Sequence, residues 1–161
     1  MEIFTKPPSN CSADELAQFE ALVLEGGEVI PQGLSGRIKN AENLIFVRDD
    51  TSCIAVGALK RPNENYRNGV FKKAGVPQLI DGYPFEIGWI YASPAARGKG
   101  VGRAILNAII DIVGKSGCFA TTRQNNKVMH HLFEQYSFCR LGNDYPSENG
   151  NYRLILYGYK P

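Results

Sequence analysis

A glycine-rich segment between two apolar stretches has the residue types and the spacing to bind phosphate. The segment reads Arg97-Gly98-Lys99-Gly100-Val101-Gly102-Arg103. The apolar run 85–92 before it is typical of a buried strand, and the apolar pattern of 101–113 after it predicts a helix. A chain that leaves a strand through glycines and enters a helix directs several backbone N–H groups, and the positive end of the helix dipole, at one point. The segment is therefore a candidate pyrophosphate site.

Spacing distinguishes three kinds of phosphate loop. The triphosphate pattern G-x-x-x-x-G-K-[ST] fails because its second glycine falls on Arg103. The dinucleotide pattern G-x-G-x-x-G/A fails because its last position falls on Arg103 or Ile105. The spacing present is Arg97-x-x-Gly100-x-Gly102, with Tyr91-Ala92-Ser93-Pro94 ahead of it. Both stretches resemble the GNAT superfamily of acyl-CoA N-acyltransferases, with its R/Q-x-x-G-x-G/A motif after a strand and a proline loop.

The resemblance implies acetyl-CoA as the acyl donor and no metal. In this family the pantetheine arm lies beside the strand before the loop and bonds to its backbone like an added strand. That implies backbone contacts from Ile90, Tyr91 and Ala92. The pyrophosphate would meet the loop amides, with added charge from Lys99 and Arg103. The further cofactor-binding residues expected from the resemblance are Arg97, Gly98, Gly100, Val101, Gly102, Asn126 and Phe133.

Glu86 is the sharpest catalytic candidate. It is the one acidic residue in the apolar run 85–92. Members of the family that the chain resembles often place a glutamate base on this strand. A carboxylate in a partly dry cleft can take a proton, directly or through water, from an ammonium. An outward-facing glutamate or the partner of an arginine are the alternatives that the sequence leaves open.

A second motif of the same family is present with three departures, the first being Met129 at the alanine position. The family pattern is N-x-x-A-x-x-L-Y-x-x-x-G-F, and Asn126, Leu132 and Phe138 match it. Phe133 stands where the family has the tyrosine that protonates the departing thiolate, and Ser137 stands where it has glycine. A CoA thiolate can leave unprotonated or with the help of water. The candidate replacements are Tyr91, Tyr136 and Tyr145, of which we take Tyr91 as the second catalytic residue.

Histidine and cysteine patterns give no metal site. His130 and His131 are adjacent on a predicted helix, so they face different ways, and we expect both at the surface. The four cysteines form no C-x-x-C pair, which favours reduced thiols. Residues 1–8 lack a cationic-then-apolar signal pattern, so we expect a cytoplasmic protein.

The order of apolar patterns predicts a mixed α/β or α+β fold. Ser12 and Glu15 have the form of a capping box ahead of a helix that Gly26 and Gly27 end. Six further stretches are typical of strands: 44–47, 53–59, 85–92, 118–122, 138–141 and 152–157. This order resembles the GNAT fold, which implies a mostly antiparallel sheet of about six to seven strands with about four helices.

A long excursion at 61–84 precedes the Glu86 strand. Tyr66, Val70, Phe71 and Ala74 fit one helical face within it. A connection of this length is either functional or a surface segment that covers a gap beside the sheet. By resemblance, the excursion and the turn after the first helix border the acceptor cleft. The charges of these two segments point to different acceptors. The turn carries Glu25 and Glu28, which could attract a cationic amine, and the excursion carries Arg67, Lys72 and Lys73, which could attract an anionic one.

Composition fits one globular domain over residues 1–161, with 43% apolar and 21% charged residues. The net charge of +2 gives no support for nucleic-acid binding, and no apolar run is long enough for a membrane span. A homodimer stays open, because dimers are common in the family that the chain resembles.

The sequence therefore predicts an N-acetyltransferase that moves an acetyl group from acetyl-CoA to a primary amine of a small molecule or peptide. The alternative is a catalytically weak acyl-CoA-binding module, and its support is Phe133 in place of the tyrosine.

Overall fold

The structure is a computed structural model that describes residues 1–161. Its strands are β1 Glu2–Lys6, β2 Asn43–Asp49, β3 Ser52–Lys60, β4 Phe85–Ala92, β5 Cys118–Arg123, β6 Cys139–Arg140, β7 Tyr145–Pro146 and β8 Arg153–Tyr159. Its α-helices are α1 Ala13–Gly26, α2 Leu34–Lys39, α3 Glu64–Lys73, α4 Val101–Val113 and α5 Lys127–Gln135. Short 3₁₀ turns occupy Pro8–Asn10, Pro77–Gly82 and Pro94–Ala96.

The strands form a mixed, mostly antiparallel sheet in the order β1-β2-β3-β4-β5-β8-β6, with β7 also paired to β8. The pairing of β4 with β5 is parallel and covers Phe85↔Cys118 and Glu86↔Phe119. This confirms the predicted fold class. The sheet has eight strands and the chain has five α-helices. Both numbers are slightly higher than those that the resemblance implied.

The chain forms two compact units. Unit 1 comprises Met1–Arg61 with Ile87–Ile112, and unit 2 comprises Pro62–Glu86 with Val113–Pro161. Strand β4 begins in unit 2 with Phe85 and Glu86 and continues in unit 1. The single domain over 1–161 stays a prediction.

Unit 1 is built around a cluster of aromatic and aliphatic side chains from α1, α2, β2 and β3. Phe19 is fully buried and packs edge-on against Phe46 and against Trp89. The remaining buried members are Val23, Leu34, Ile38, Ala41, Leu44, Val56 and Ala58. Apolar burial of this kind contributes about 1.5–3 kcal/mol for each large side chain. The core therefore fixes the half of β4 that leads into the glycine-rich loop.

Strand β1 was missed from the sequence. It pairs antiparallel with β2 from Glu2↔Arg48 to Lys6↔Leu44. Phe4 stacks on Phe46 with ring centroids 5.0 Å apart, and Lys6 makes a 2.7 Å ion pair with Glu15. A five-residue edge strand with one packed aromatic gives too short an alternation to be recognised by pattern.

Helix α1 begins where the sequence predicts. Ser12 Oγ accepts a 3.1 Å hydrogen bond from the Glu15 amide, and Glu15 Oε2 accepts a 2.9 Å bond from the Ser12 amide. Gly27 ends the helix at φ +73°, a left-handed conformation that favours glycine. The capping box and the glycine stop are thus both confirmed.

Unit 2 holds the excursion as a folded element. Helix α3 buries Val70, Phe71 and Ala74 in a cluster with Tyr83, Phe119, Tyr145 and Leu156. Phe71 lies edge-on to Phe119 at 5.3 Å between centroids. The predicted helical face is confirmed for these three residues, while Tyr66 is 46% exposed. Residues 62–84 are therefore a folded part of unit 2 and not a loose loop.

His130 corrects the prediction that both histidines lie at the surface. Its ring is 8% exposed, with Nε2 2.9 Å from the Gln124 carbonyl and Nδ1 2.7 Å from the Tyr157 hydroxyl. A carbonyl only accepts, so Nε2 carries the hydrogen in this arrangement and Tyr157 donates to Nδ1. One face of α5 packs against β8, and His130 lies on that face while His131 is exposed. None of the helices combines the length and the apolar character needed to cross a membrane.

The cap of α3 gives the first testable prediction. Asn63 Oδ1 accepts from the amides of Asn65 at 2.9 Å and Tyr66 at 3.3 Å. Asn63→Ala should lower the free energy of unfolding by about 1 kcal/mol, because those amides lose their acceptor. Asn68→Ala, an exposed interior position of the same helix, is the matched control and should be neutral or slightly stabilising. Urea unfolding of both variants measures this; equal losses would contradict the cap assignment.

Candidate active site

The glycine-rich loop enters α4 in the geometry that anion binding needs. The Gly100 carbonyl accepts the 3.1 Å hydrogen bond from the Ala104 amide, so α4 starts immediately after Gly100. The N–H groups of a first helical turn have no acceptor within their own helix, and this places the amides of Val101 and Gly102 at an anion-binding end. Gly98 and Gly100 have φ +76° and +77°, with open space where a Cβ would stand. These glycines are therefore required by backbone conformation, not by crowding.

The two ends of the loop are fastened within unit 1. The Ser93 amide donates a 2.9 Å bond to the Ile54 carbonyl on β3, and Arg97 Nε donates a 3.2 Å bond to the Ala92 carbonyl. A Cβ on Gly57 would lie 2.5 Å from Cγ2 of Ile105, so α4 packs directly on β3 at this glycine. A loop held at both ends presents its amides in a fixed arrangement.

Trp89 interrupts the regular geometry of β4. Its φ of +54° lies in the left-handed region, which is an uncommon conformation for a bulky residue and costs of the order of 1–3 kcal/mol. The indole is held edge-on by Phe19 at 6.1 Å, and the Lys60 ammonium lies 4.6 Å from its ring centroid. These contacts offset the cost of the unusual backbone conformation at Trp89. That conformation lies just before Ile90, Tyr91 and Ala92.

Glu86 is a buried carboxylate. It is 3% exposed and lies beside Phe119 in the parallel pairing of β4 with β5. The Tyr66 hydroxyl donates a 2.7 Å hydrogen bond to its Oε2. Glu86 is thus not an outward-facing residue. A buried carboxylate that is hydrogen-bonded by a neutral phenol keeps the chemical capacity to accept a proton.

Tyr66 is a site residue that sequence reasoning missed. Although 46% of the Tyr66 side chain is exposed, its hydroxyl lies against the buried Glu86 carboxylate. Loss of water around that hydroxyl raises the pKa of the phenol, and the charge of Glu86 and the hydrogen bond to it raise the pKa further. Burial followed by the charge of Glu86 also raises the pKa of Tyr145, whose hydroxyl is buried without a hydrogen-bond partner. Both phenols stay protonated at neutral pH. The spacing from Tyr66 to Glu86 has no local periodicity, so no sequence pattern indicates the contact.

Tyr91 has its hydroxyl engaged within unit 1. It donates a 2.8 Å bond to Glu25 Oε1, and the Arg97 guanidinium lies 6.0 Å from its ring centroid. The hydrogen bond to Glu25 is the main reason that the pKa of Tyr91 is raised. The phenol therefore holds its proton near neutral pH, as a general acid must, with that proton directed at Glu25.

Asn126 and Phe133 belong to unit 2. Asn126 Oδ1 caps α5 by accepting a 3.2 Å bond from the Met129 amide. Phe133 is 2% exposed and packs against Phe138 and Tyr157, each at 5.0 Å between centroids. Among the residues predicted from the sequence, unit 1 brings together Ile90, Tyr91, Ala92 and the loop 97–103. Glu86, Asn126 and Phe133 lie in unit 2.

Several charges that gave opposite indications about the acceptor have internal partners. Arg67 Nη1 donates to the carbonyls of Ile80 at 3.0 Å and Tyr83 at 3.2 Å, and Lys73 pairs with Glu148 at 2.5 Å. Glu25 accepts from Tyr91. Arg67 and Lys73 therefore serve the packing of unit 2, which weakens the indication of an anionic acceptor.

The structure contains no group of three or more His, Cys, Asp or Glu side chains that could hold a metal ion. All four cysteines are free thiols. Burial raises the pKa of the Cys118 thiol to about 12, so it stays protonated and is a poor nucleophile.

Comparison with known proteins gives one family match and one curated relative. A model of the acetyltransferase (GNAT) family matches residues 11–138, more than half of the chain. An uncharacterized protein of Mycobacterium leprae (strain TN) is 34% identical over 71 residues. That match covers 43% of this chain and only 20% of the M. leprae protein, so the chain spans a small part of that relative.

Solved structures share the fold over nearly the whole chain. ElaA from Escherichia coli matches with a TM-score of 0.73 at 14% identity, covering 99% of each chain. An acyl-CoA N-acyltransferase from Pseudomonas aeruginosa matches at 0.72 and 16% identity, covering 98% of this chain and 97% of that one. The yncA protein of Salmonella typhimurium, solved with its cofactor acetyl-CoA, matches at 0.64 and 15% identity, covering 99% and 92%. At these identities the similarity shows the fold.

The Tyr91–Glu25 contact gives a prediction about titration. Because the carboxylate acceptor disfavours the phenolate, Glu25→Gln should lower the pKa of Tyr91 toward the ordinary tyrosine value. Carbon NMR of the tyrosine Cζ atoms across alkaline pH measures the change. Glu20→Gln on the same helix is the control and should leave the Tyr91 titration where it is. An unchanged Tyr91 curve in Glu25→Gln would show that this hydrogen bond is absent in solution.

Proposed function

Because this chain belongs to the acetyltransferase (GNAT) family, we propose that it transfers an acetyl group from acetyl-CoA to a primary amine of a small molecule or peptide. The observation that carries the proposal is the build of β4 and of the loop that joins it to α4. The strand carries the buried Glu86 near its start and leads into a glycine-rich loop, and the first turn of α4 follows directly after Gly100. This arrangement supports a proton acceptor on β4 and a donor-binding loop after it.

The donor side rests on backbone groups. We assign the pyrophosphate to the amides from Gly98 to Arg103, where the start of α4 adds its dipole. The side chains of Lys99 and Arg103 add positive charge there. We assign the pantetheine arm to the backbone of Ile90, Tyr91 and Ala92, as an added strand. The ladder between β4 and β5 ends at Glu86↔Phe119, which supports this assignment.

The chemical step is a direct attack in a ternary complex. The amine nitrogen attacks the thioester carbonyl carbon, a C–N bond forms, and negative charge collects on the carbonyl oxygen. A backbone N–H of the stretch Ile90–Ala92 stabilises that oxyanion. Glu86 takes one proton from the attacking nitrogen, directly or through water. The C–S bond then breaks, and CoA leaves as a thiolate.

Tyr91 is our candidate for the proton that the thiolate receives. Its phenol stays protonated at neutral pH, which supports the role, and its hydroxyl must leave Glu25 to act. Phe133, at the position of the usual tyrosine, has no proton to give and is packed among aromatic rings. Water is the other proton source for the thiolate.

A catalytically weak acyl-CoA-binding module is the second candidate function, and Phe133 is the observation that favours it. Thiol release in the presence of a panel of primary amines separates the two. An acetyltransferase releases CoA thiol in proportion to amine occupancy. A binding module takes up CoA tightly and releases no amine-dependent thiol at any pH.

Gly100→Ala tests the donor loop. An alanine at φ +77° costs about 1–2 kcal/mol of backbone strain and turns the neighbouring amides, so CoA affinity should fall about tenfold or more. Gly27→Ala is matched, because Gly27 has φ +73° and open space at its Cβ position. It should lose similar stability and keep CoA affinity. Calorimetric titration with CoA measures both variants, and equal affinity in the two would refute the assignment of the loop.

Glu86→Gln tests the base. Acetyl-CoA affinity should stay unchanged, while kcat should fall by roughly 10²–10⁴-fold and the rate should lose its acid limb. Glu64→Gln, an exposed glutamate on α3, is the matched control and should keep the wild-type rate–pH profile. Thiol release across pH measures both. A wild-type profile in Glu86→Gln would remove Glu86 from the mechanism.

A further inference from the structure

We propose that Tyr66 is a positioning residue for Glu86, and that its hydroxyl holds the carboxylate in the orientation and the charged form that accept the amine proton. This inference rests on the proposed function, since it assigns a partner to the base of that reaction. The sequence left open whether the excursion at 61–84 is functional or only covers a gap beside the sheet, and this inference makes it functional.

The contact itself is short and charge-assisted. Tyr66 Oη lies 2.7 Å from Glu86 Oε2, and the carboxylate is 3% exposed. A carboxylate taken out of water among apolar groups is costly unless donors compensate the lost solvation. A phenol O–H that donates to a carboxylate forms one of the stronger protein hydrogen bonds. The bond therefore favours the charged, proton-accepting form of Glu86.

Helix α3 places Tyr66 without depending on its hydroxyl. Asn63 caps the helix and accepts from the Tyr66 amide at 3.3 Å. Val70 and Phe71 anchor the opposite end in the unit 2 core, and Arg67 bonds the carbonyls of Ile80 and Tyr83. Removing one hydroxyl should leave this framework intact. The Tyr66→Phe variant should therefore keep α3 folded, so it can test the role of the hydroxyl alone.

Two phenols act on Glu86, and they differ in their hydrogen bonding. Tyr66 on α3 donates to the carboxylate, and Thr121 on β5 hydrogen-bonds the Tyr66 hydroxyl. Tyr145 on β7 feels the charge of Glu86, but its buried hydroxyl has no hydrogen-bond partner. Both phenols are neutral at working pH, since burial and the charge of Glu86 raise their pKa values. The pair provides a matched comparison of a tyrosine with a bond to Glu86 and a tyrosine without one.

The experiment compares Tyr66→Phe with Tyr145→Phe by carbon NMR of the Glu86 carboxyl group, with Glu86→Gln used to assign the signal. The Glu86 carboxyl signal in Tyr66→Phe should move away from its wild-type position at neutral pH, because the carboxylate loses a hydrogen-bond donor. In Tyr145→Phe the signal should stay in place. A wild-type signal in Tyr66→Phe, or an equal displacement in Tyr145→Phe, would overturn the inference.

Thiol release provides the second readout and separates the two proposals. In Tyr66→Phe the acid limb of kcat/KM should move to higher pH, while the KM for acetyl-CoA stays at its wild-type value. A wild-type protein without amine-dependent thiol release would refute the proposed function, and the NMR comparison would still decide the role of Tyr66. Acetyl transfer with an unmoved limb in Tyr66→Phe would refute the inference alone. A purely structural role for Tyr66 would lower thermal stability and leave the limb where it is.

Discussion

Burial of one carboxylate places the strongest constraint on unit 2. Glu86 lies beside Phe119, in the same unit as a cluster that holds Phe71, Tyr83 and Leu156. An ionised group in such surroundings is stable only when hydrogen-bond donors replace the water that it loses. Tyr66 is a donor that reaches it, and it comes from the helix that the long excursion inserts before β4. The excursion is therefore tied to the presence of a glutamate at this position.

A second constraint operates in unit 1, where β4 must lead through the glycine-rich loop into α4. The strained φ of Trp89, the bond from Ser93 to Ile54 and the contact of Ile105 at Gly57 all fix the path from strand to helix. None of these contacts requires a charged side chain. Binding through backbone amides suits a pyrophosphate, because the geometry survives changes in the surrounding surface. The path from strand to helix is therefore fixed by contacts within unit 1, and pyrophosphate binding by the loop stays a prediction.

Local patterns were predictable from the sequence, and contacts between distant residues were not. The capping box at Ser12 and the stop at Gly27 each depend on residues within a few positions. The strand–loop–helix order around Gly100 likewise depends on consecutive residues. Strand β1 is short and at the sheet edge, so it gave no recognisable alternation. The burial of His130 depends on Tyr157, and the environment of Glu86 depends on Tyr66 and Tyr145. Such pairs are brought together only by tertiary packing.

The central proposal is that the second half of β4 and the glycine-rich loop bind CoA through backbone groups. A crystal structure of the protein with CoA bound tests it most directly. The account predicts that the pyrophosphate accepts hydrogen bonds from the amides of residues 98–103. It also predicts that the pantetheine arm lies along Ile90–Ala92. A pyrophosphate bound elsewhere, or a pantetheine arm that does not follow Ile90–Ala92, would contradict it.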